Sequence, residues 1–282
     1  RAGQHDISNV LPPQQFRWIK ENLADELQVS PQLSVYYYGY NLTRPPFAGN
    51  PGLRRALSLA IDRERLTRSV TGLGEAPAYG WVPPGVANYT SQSFDYSDWS
   101  YDERVREARE LYRAAGYSDG QPLQVEIRYN SGEVHNRLAV AIAAMWKESL
   151  GVESSLYAEE FRALLQSIQA GTETQVFRSS WIGDFNDAYT FAQLLQSNFG
   201  INLTGYSNAR YDELLAEATR QADTARRRAL LEEAERLMLA EHPLLPLYFY
   251  VNKHLVKPYV RGWSSNVMNV FYSKDLALEP DR

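Results

Sequence analysis

Two segments rich in aromatic and β-branched residues lie near opposite ends of this 282-residue chain, at positions 33–41 and 245–256. The first contains three consecutive tyrosines, 36–38, and the second contains the apolar run 247–251. Both compositions are typical of β-strands, and the second is apolar enough for the centre of a sheet. A simple arrangement pairs the two strands with each other. Residues 48–244 then form an insertion between two crossing strands.

Helical and strand patterns alternate inside this insertion. Apolar residues at positions 53, 56, 57, 60 and 61 form one stripe of a helix, whereas Val125, Ile127 and Tyr129 alternate with polar residues as in a half-buried strand. Further strands are predicted at 152–157 and 176–181, and helices at 12–26, 63–70, 100–116, 134–150, 161–169, 188–196, 212–222 and 225–240. Strands that alternate with helices predict an α/β fold. The Gly- and Pro-rich stretch 71–99, with embedded aromatic residues, favours a packed loop rather than a linker.

Composition excludes several classes of protein. The chain carries 34 acidic and 29 basic residues, so we expect no nucleic-acid partner. The one basic cluster, residues 226–228, lies in a Glu-rich helical run and is typical of a solvated helix face. The absence of cysteine excludes disulfides and thiolate metal sites. Because the chain begins with Arg1 and carries no signal peptide, we expect it to be processed or cut from a larger protein.

Common catalytic and cofactor motifs are missing. The histidines 5, 135, 242 and 254 are not spaced as zinc ligands, and neither a phosphate-binding loop nor a nucleophile elbow occurs. We therefore expect no metal and no cofactor. Glu159 with Glu160, or Asp184 with Asp187, leave open a hydrolase that uses paired carboxylates.

Residues 177–187 form the most informative segment. A predicted buried strand ends with Trp181, and Asp184 follows at the carboxyl edge, where open α/β sheets bind ligands. A carboxylate close to an aromatic ring suits a cationic group. The alternative is that Asp184 caps the next helix; Asp187 can serve as that cap equally well, which leaves Asp184 available for a ligand.

Short motifs in a characteristic order extend over nearly the whole chain. They are Pro46-Phe47, Ala60-Ile61-Asp62-Arg63, Pro77-Ala78-Tyr79-Gly80, Pro83-Pro84-Gly85, Ala114-Ala115-Gly116-Tyr117, Tyr129-Asn130-Ser131, Met145-Trp146-Lys147, Leu150-Gly151-Val152, Tyr211-Asp212-Glu213-Leu214, Pro246-Leu247-Tyr248 and Tyr250-Val251-Asn252. With these motifs the chain resembles the C-terminal half of the bacterial extracellular solute-binding proteins of family 5, in their oligopeptide- and murein-peptide-binding branch. The resemblance implies a periplasmic-binding-protein-like class II α/β lobe, a truncated fragment of a two-lobed protein.

The resemblance also implies domain boundaries and a role. Residues 1–47 would belong to the hinge-proximal part of the first lobe, 48–247 to the C-terminal lobe, and 248–282 to the segment that returns to the first lobe. The expected function is the substrate-binding component of an ABC-type oligopeptide importer, which is not an enzyme. We expect a monomer that delivers its oligopeptide ligand to the ABC transporter permease. The expected location is periplasmic, or lipid-anchored outside the cytoplasmic membrane. Because other relatives in the family bind nickel chelates, haem, oligosaccharides or antibiotics, a ligand of one of these kinds is the alternative to a peptide.

The resemblance assigns ligand contacts residue by residue. Asp184 corresponds to the family's aspartate that receives the peptide α-ammonium group, for which a buried carboxylate is the suitable partner. Trp181 and Ser180 correspond to positions that line the peptide backbone and the first side-chain pockets, and Phe161 to an aromatic pocket position.

The remaining assignments concern the other end of the peptide. Arg178 and His135 correspond to cationic positions that can meet its C-terminal carboxylate, although a strand-edge cation and a polar residue at a helix N-terminus are the simpler interpretations. Asn130 corresponds to a polar position near that end, and Tyr250 to a candidate for main-chain contact.

The chain departs from the family pattern after the strand. The family sequence D-Y-x-D-P reads here as residues 184–188 with Phe185 and Ala188 in place of the tyrosine and the proline. A second family arginine corresponds to Ile168 or a neighbour. These differences concern the preferred peptide length and the recognition of the C-terminus.

Overall fold

The computed structural model describes residues 5–172 and 174–279, and this part of the chain forms a seven-stranded mixed sheet with helices on both faces. The strands are β1 Ile7–Ser8, β2 Leu27–Tyr40, β3 Ala76–Pro77, β4 Gln124–Asn130, β5 Glu153–Glu159, β6 Val176–Ile182 and β7 Leu244–Val256, and a separate hairpin consists of β8 Val260–Arg261 and β9 Ala277–Leu278. The order is β1-β7-β2-β6-β4-β5, with β3 paired to β7. The predicted α/β lobe is confirmed.

The helices follow the predicted alternation, with shifts at their ends. They are α1 Phe16–Asn22, α2 Pro51–Leu59, α3 Arg63–Arg65, α4 Tyr101–Ala114, α5 Glu133–Leu150, α6 Phe161–Ala170, α7 Tyr189–Ala192, α8 Ala209–Arg220 and α9 Thr224–Glu241. A π-helical turn, Leu66–Thr71, continues α3. Ser100 and Glu103 form a capping box at the start of α4, where the sequence predicts a helix. No helix in the described residues is long and apolar enough to cross a membrane.

The two aromatic strands pair with each other, as predicted. β2 and β7 are antiparallel from the Leu27–Leu255 pair to the Gly39–Leu244 pair, and the ring of Tyr36 stacks on that of Tyr248 at 4.7 Å between centroids. The predicted helix over 12–26 is too long, because α1 covers only Phe16–Asn22 and a turn at 24–26 leads into β2. Pro31 lies within β2, where the register shifts towards Val35 and a proline can be accommodated.

The parallel strands β4, β5 and β6 form one side of the sheet, next to β2. The chain crosses from β4 to β5 through α5 and returns past β4 to β6 through α6. Right-handed crossovers in opposite directions place these two helices on opposite faces. Trp146 of α5 is buried in the large core, whereas Leu164 and Ile168 of α6 pack against Phe177 in a small separate cluster.

The stretch 71–99 is a packed loop, as predicted. Trp81, Phe94 and Tyr96 are buried in it. The buried guanidinium of Arg63 donates hydrogen bonds to the carbonyl oxygens of Ala78 and Pro246 at 2.8 and 2.9 Å. These bonds join the loop to β7, so the loop forms part of the core.

Candidate functional site

A gap between β4 and β6 exposes one edge of β6. β6 pairs with β2 as far as Ile182, but it pairs with β4 only at Val176 and Phe177. The N–H of Gly183 donates to the carbonyl of Leu33 at 2.8 Å, so the odd-numbered residues direct their backbone groups towards β2. Because these groups alternate along a strand, residues 178, 180 and 182 direct their N–H and C=O groups towards the gap. β6 therefore presents an unpaired strand edge.

An apolar cavity of about 240 Å³ adjoins this edge. Trp181 on β6 and Phe161 on α6 both line it; the other lining residues include Tyr37, Leu164, Leu165, Leu194, Ile201 and Leu203. The indole N–H of Trp181 donates to Thr190 Oγ1 at 3.3 Å, which fixes the ring against α7. Phe161 is 52% exposed, because it is the first residue of α6. The cavity can accept an apolar side chain of a ligand that lies along β6.

The guanidinium of Arg178 reaches across the gap. Nη1 donates to Asn130 Oδ1 at 3.0 Å, and Nη2 donates to Ser180 Oγ at 3.1 Å and to the hydroxyl of Tyr250 at 3.4 Å. Nε is buried without a partner. The residue is only 8% exposed, and no carboxylate of the described residues forms an ion pair with it. A buried cation with neutral partners is poised to bind an anion.

His135 lies beside this cation at the start of α5. Its Nδ1 is 3.0 Å from the hydroxyl of Tyr36, and the two rings stack at 5.7 Å between centroids. Burial, reinforced by the charge of Arg178, lowers the pKa of His135 to about 4. The imidazole is therefore neutral near pH 7, so of the two side chains that were predicted to be cationic only Arg178 carries a charge.

Asp184 lies at the other end of the open edge, just beyond β6. Its backbone N–H donates to Thr190 Oγ1 at 3.3 Å, and its carboxylate makes no hydrogen bond or ion pair with the described residues. In this chain Asp184 is exposed, since it lies in a bend over which no described element packs. Its contact with a ligand stays a prediction.

Asp187, and not Asp184, stabilises the start of α7. Its Oδ1 accepts the N–H of Tyr189 at 2.8 Å, and its two oxygens bind both Nη atoms of Arg227 on α9, at 2.6 and 3.0 Å. The capping alternative for Asp184 therefore does not describe the structure.

Three of the four carboxylates considered for a hydrolase, those of Asp187, Glu159 and Glu160, have structural partners. Glu159 accepts hydrogen bonds from Arg128 and Ser167 at 3.0 and 2.9 Å, and Glu160 caps α6 through the N–H of Arg162 at 2.8 Å. No group of three or more His, Asp or Glu side chains within residues 5–172 and 174–279 is arranged to hold a metal ion.

Two tyrosines of the site were not identified from the sequence. The guanidinium carbon of Arg178 lies 4.6 Å from the ring centroid of Tyr36, and the rings of Tyr248 and Tyr250 contact each other at 5.1 Å. Burial raises the pKa of Tyr36 and of Tyr248, so both phenols stay neutral. The alternation of Tyr36 and Tyr38 along β2 was the available signal, because it places both on one face of the sheet.

Sequence and structure comparisons identify relatives with the same architecture. The periplasmic murein peptide-binding protein MppA of Escherichia coli K12 is 34% identical over 98% of this chain and 51% of its own length. YgiS of the same organism, named a probable deoxycholate-binding periplasmic protein, is 36% identical over 99% of this chain and 52% of its own length. The crystal structure of Haemophilus influenzae OppA in complex with the peptide RPPGFSPFR superposes with a TM-score of 0.83 at 34% identity; the match covers 99% of this chain and 55% of that one.

The chain thus spans about half the length of the curated relatives that it matches. The sequence model of the bacterial extracellular solute-binding proteins, family 5 Middle, matches residues 1–202. The chain belongs to family 5 of the bacterial extracellular solute-binding proteins.

Proposed function

We propose that this chain is the peptide-binding half of an ABC importer's receptor and that it holds an oligopeptide against the open edge of β6. The observation that carries the proposal is the unpaired stretch between Arg178 and Ile182, with a buried cation at one end and the free carboxylate of Asp184 beyond the other. An extended peptide can add to such an edge through main-chain hydrogen bonds, which are independent of its sequence.

The charges set the direction and the maximum span of this peptide. Asp184 would receive the α-ammonium group, and Arg178 the C-terminal carboxylate. Asp184 follows Arg178 by six positions, so their Cα atoms lie at most about 20 Å apart, the length of about six extended residues. Trp181 and Phe161 would contact a side chain in the apolar cavity.

The polar neighbours of Arg178 would complete the carboxylate end. Asn130, Ser180 and Tyr250 already hold the guanidinium, and His135 would meet the ligand as a neutral hydrogen-bond partner. Because these groups are preorganised, little side-chain entropy is lost when the ligand binds.

The role of the whole protein follows from its relatives, two of which are named for murein-peptide and oligopeptide binding. Residues 48–247 would form one lobe, while 1–47 and 248–282 would contribute to the other. Closure of two lobes around the ligand would present it to the membrane permease. We place the protein in the periplasm, as a monomeric binding protein without catalytic activity.

The test uses the full-length protein that contains this chain and isothermal titration with trialanine. Asp184→Asn should weaken binding about 30-fold or more, because a desolvated ammonium group loses its counter-charge. N-acetyltrialanine should bind poorly to both proteins. Glu110→Gln, which removes an exposed charge on α4, is the matched control and should bind as the unaltered protein does. Equal affinity for the free and the acetylated peptide would refute the assignment of Asp184.

A second candidate cargo is a bile acid. Arg178 beside an apolar cavity also suits a carboxylate on a rigid apolar body, and one relative is named for deoxycholate. Because deoxycholate carries no ammonium group, its binding should be indifferent to Asp184→Asn. A full-length protein that binds deoxycholate and no peptide would favour this candidate.

A further inference from the structure

Glu235 is a buried carboxylate on α9. It is 3% exposed, and burial raises its pKa to about 7. Oε1 accepts the backbone N–H groups of Trp81 and Val82 at 2.7 and 2.8 Å. Oε2 accepts the hydroxyl of Tyr89 and the N–H of Gln92, the latter at 3.4 Å. One carboxylate thus binds both ends of residues 81–92, here named the clamp loop.

The clamp loop touches the segment that carries Asp184. The N–H of Ala87 donates to Asn186 Oδ1 at 2.9 Å. The indole N–H of Trp81 donates to the carbonyl of Phe191 at 2.8 Å, and its ring meets that of Tyr37 edge-on at 4.9 Å. Residues 183–188, here named the ammonium segment, therefore rest on a loop whose position Glu235 fixes.

The ammonium segment needs such a support. It lies outside regular structure, and in the described part of the chain the main chain of Asp184 is held through Thr190 Oγ1 and its covalent neighbours. A charged contact retains its strength only if the carboxylate is preorganised, since a mobile group must be ordered when the ligand arrives. The ion pair between Arg227 and Asp187 supports the C-terminal part of the segment, and the clamp loop supports it at Asn186.

We propose that Glu235 is a positioning residue for peptide binding: by fixing the clamp loop it fixes Asn186 and, with it, the carboxylate of Asp184. The inference rests on the proposed function and deepens it. Glu235 does not contact the ligand. Its effect passes from α9 through Trp81 and Ala87 to the ammonium segment.

The experiment is a double-mutant cycle in the full-length protein, measured by titration with trialanine. Glu235→Gln keeps the shape of the side chain but turns an amide group towards Tyr89 and Gln92, where two donors already point. We expect it to weaken binding about tenfold. Asn186→Ala removes the side chain that accepts the N–H of Ala87, and it should weaken binding in the same way. If both residues act through the same contacts, the double variant should bind trialanine no more weakly than the single variant with the lower affinity.

Amide hydrogen exchange supplies a readout that does not depend on the peptide. In Glu235→Gln the amides of residues 183–187 should exchange faster than in the unaltered protein. Glu233→Gln is the matched control, because Glu233 lies two residues away on α9, is exposed and bonds to Arg210. If Glu235→Gln does not fold, Tyr89→Phe removes one bond to the same carboxylate and should shift affinity and exchange in the same direction by a smaller amount.

The outcomes separate the two proposals. Unchanged affinity and exchange in Glu235→Gln, or effects of Glu235→Gln and Asn186→Ala that add as free energies, would overturn the positioning role. Failure of the unaltered protein to bind trialanine would instead overturn the proposed function, and the exchange rates would still decide whether Glu235 supports the ammonium segment.

Discussion

Replacement of Arg178 by methionine tests the carboxylate end of the proposed site. Methionine fills a similar volume without charge. The buried guanidinium has no counter-ion among residues 5–172 and 174–279, and its three hydrogen bonds go to the neutral residues Asn130, Ser180 and Tyr250. Arg178→Met loses these bonds, at about 1 kcal/mol each. This loss is offset because the variant no longer has the free-energy cost of burying an unpaired charge. We expect the free energy of unfolding to change by less than about 2 kcal/mol.

The effect on binding should be larger. An ion pair at 4 Å and an effective dielectric constant of 20 contributes about 4 kcal/mol, and truncation of one partner of a buried charge pair costs about 2–5 kcal/mol. Arg178→Met should therefore raise the Kd for trialanine by roughly 30- to 5000-fold.

Titration of the full-length protein with trialanine and with trialaninamide makes the test specific. The amide lacks the carboxylate, so its affinity should hardly change between the unaltered protein and Arg178→Met. Arg137→Met, at an exposed position of α5, controls for the loss of a positive charge. An equal loss of affinity for both peptides would refute the reasoning, because Arg178 would then act on the backbone or on the fold rather than on the carboxylate.

Two further predictions concern stability. Gly39→Ala should lower the free energy of unfolding by about 1–3 kcal/mol in chemical denaturation, because a Cβ there would overlap the Phe177 ring, whereas Gly120→Ala meets no atom within 4 Å and should change it by less than about 0.5 kcal/mol. Burial lowers the pKa of His242 in the folded chain to about 3, whereas a histidine of the unfolded chain titrates near pH 6.5. Between these two pH values the unfolded chain therefore binds one more proton than the folded chain. The free energy of unfolding should therefore fall as the pH drops through this window. His242→Asn should make this fall less steep, and asparagine suits the left-handed backbone at this position, where φ is 51°. An unchanged slope in the variant would contradict the assignment to His242.

The elements that were predicted correctly depend on local patterns. The capping box at Ser100 and the apolar stripe that begins at Leu53 are complete within one or two helical turns, and the structure contains both helices. Strand β2 was predicted too short, because a proline at position 31 normally ends a strand and only the adjacent bulge permits it here.

The site could be predicted only in part, for reasons of register. The approach of Tyr36 to Tyr248 depends on a shift in the β2–β7 pairing between Tyr36 and Tyr37, which no local pattern reveals. The open edge of β6 exists because β4 separates from it after Phe177, again a tertiary property. In the sequence Glu235 is one of several acidic residues in a Glu-rich helical run. Only its burial against residues 81–92 distinguishes it from the exposed acidic residues of that helix.

The central claim is that this chain contributes a peptide site, and the most direct measurement is a calorimetric titration of the unaltered full-length protein with trialanine and, separately, with deoxycholate. We expect saturable binding of one trialanine per protein, with displacement of the peptide when a longer free peptide is added. Saturable binding of deoxycholate in the absence of any peptide binding would contradict this claim.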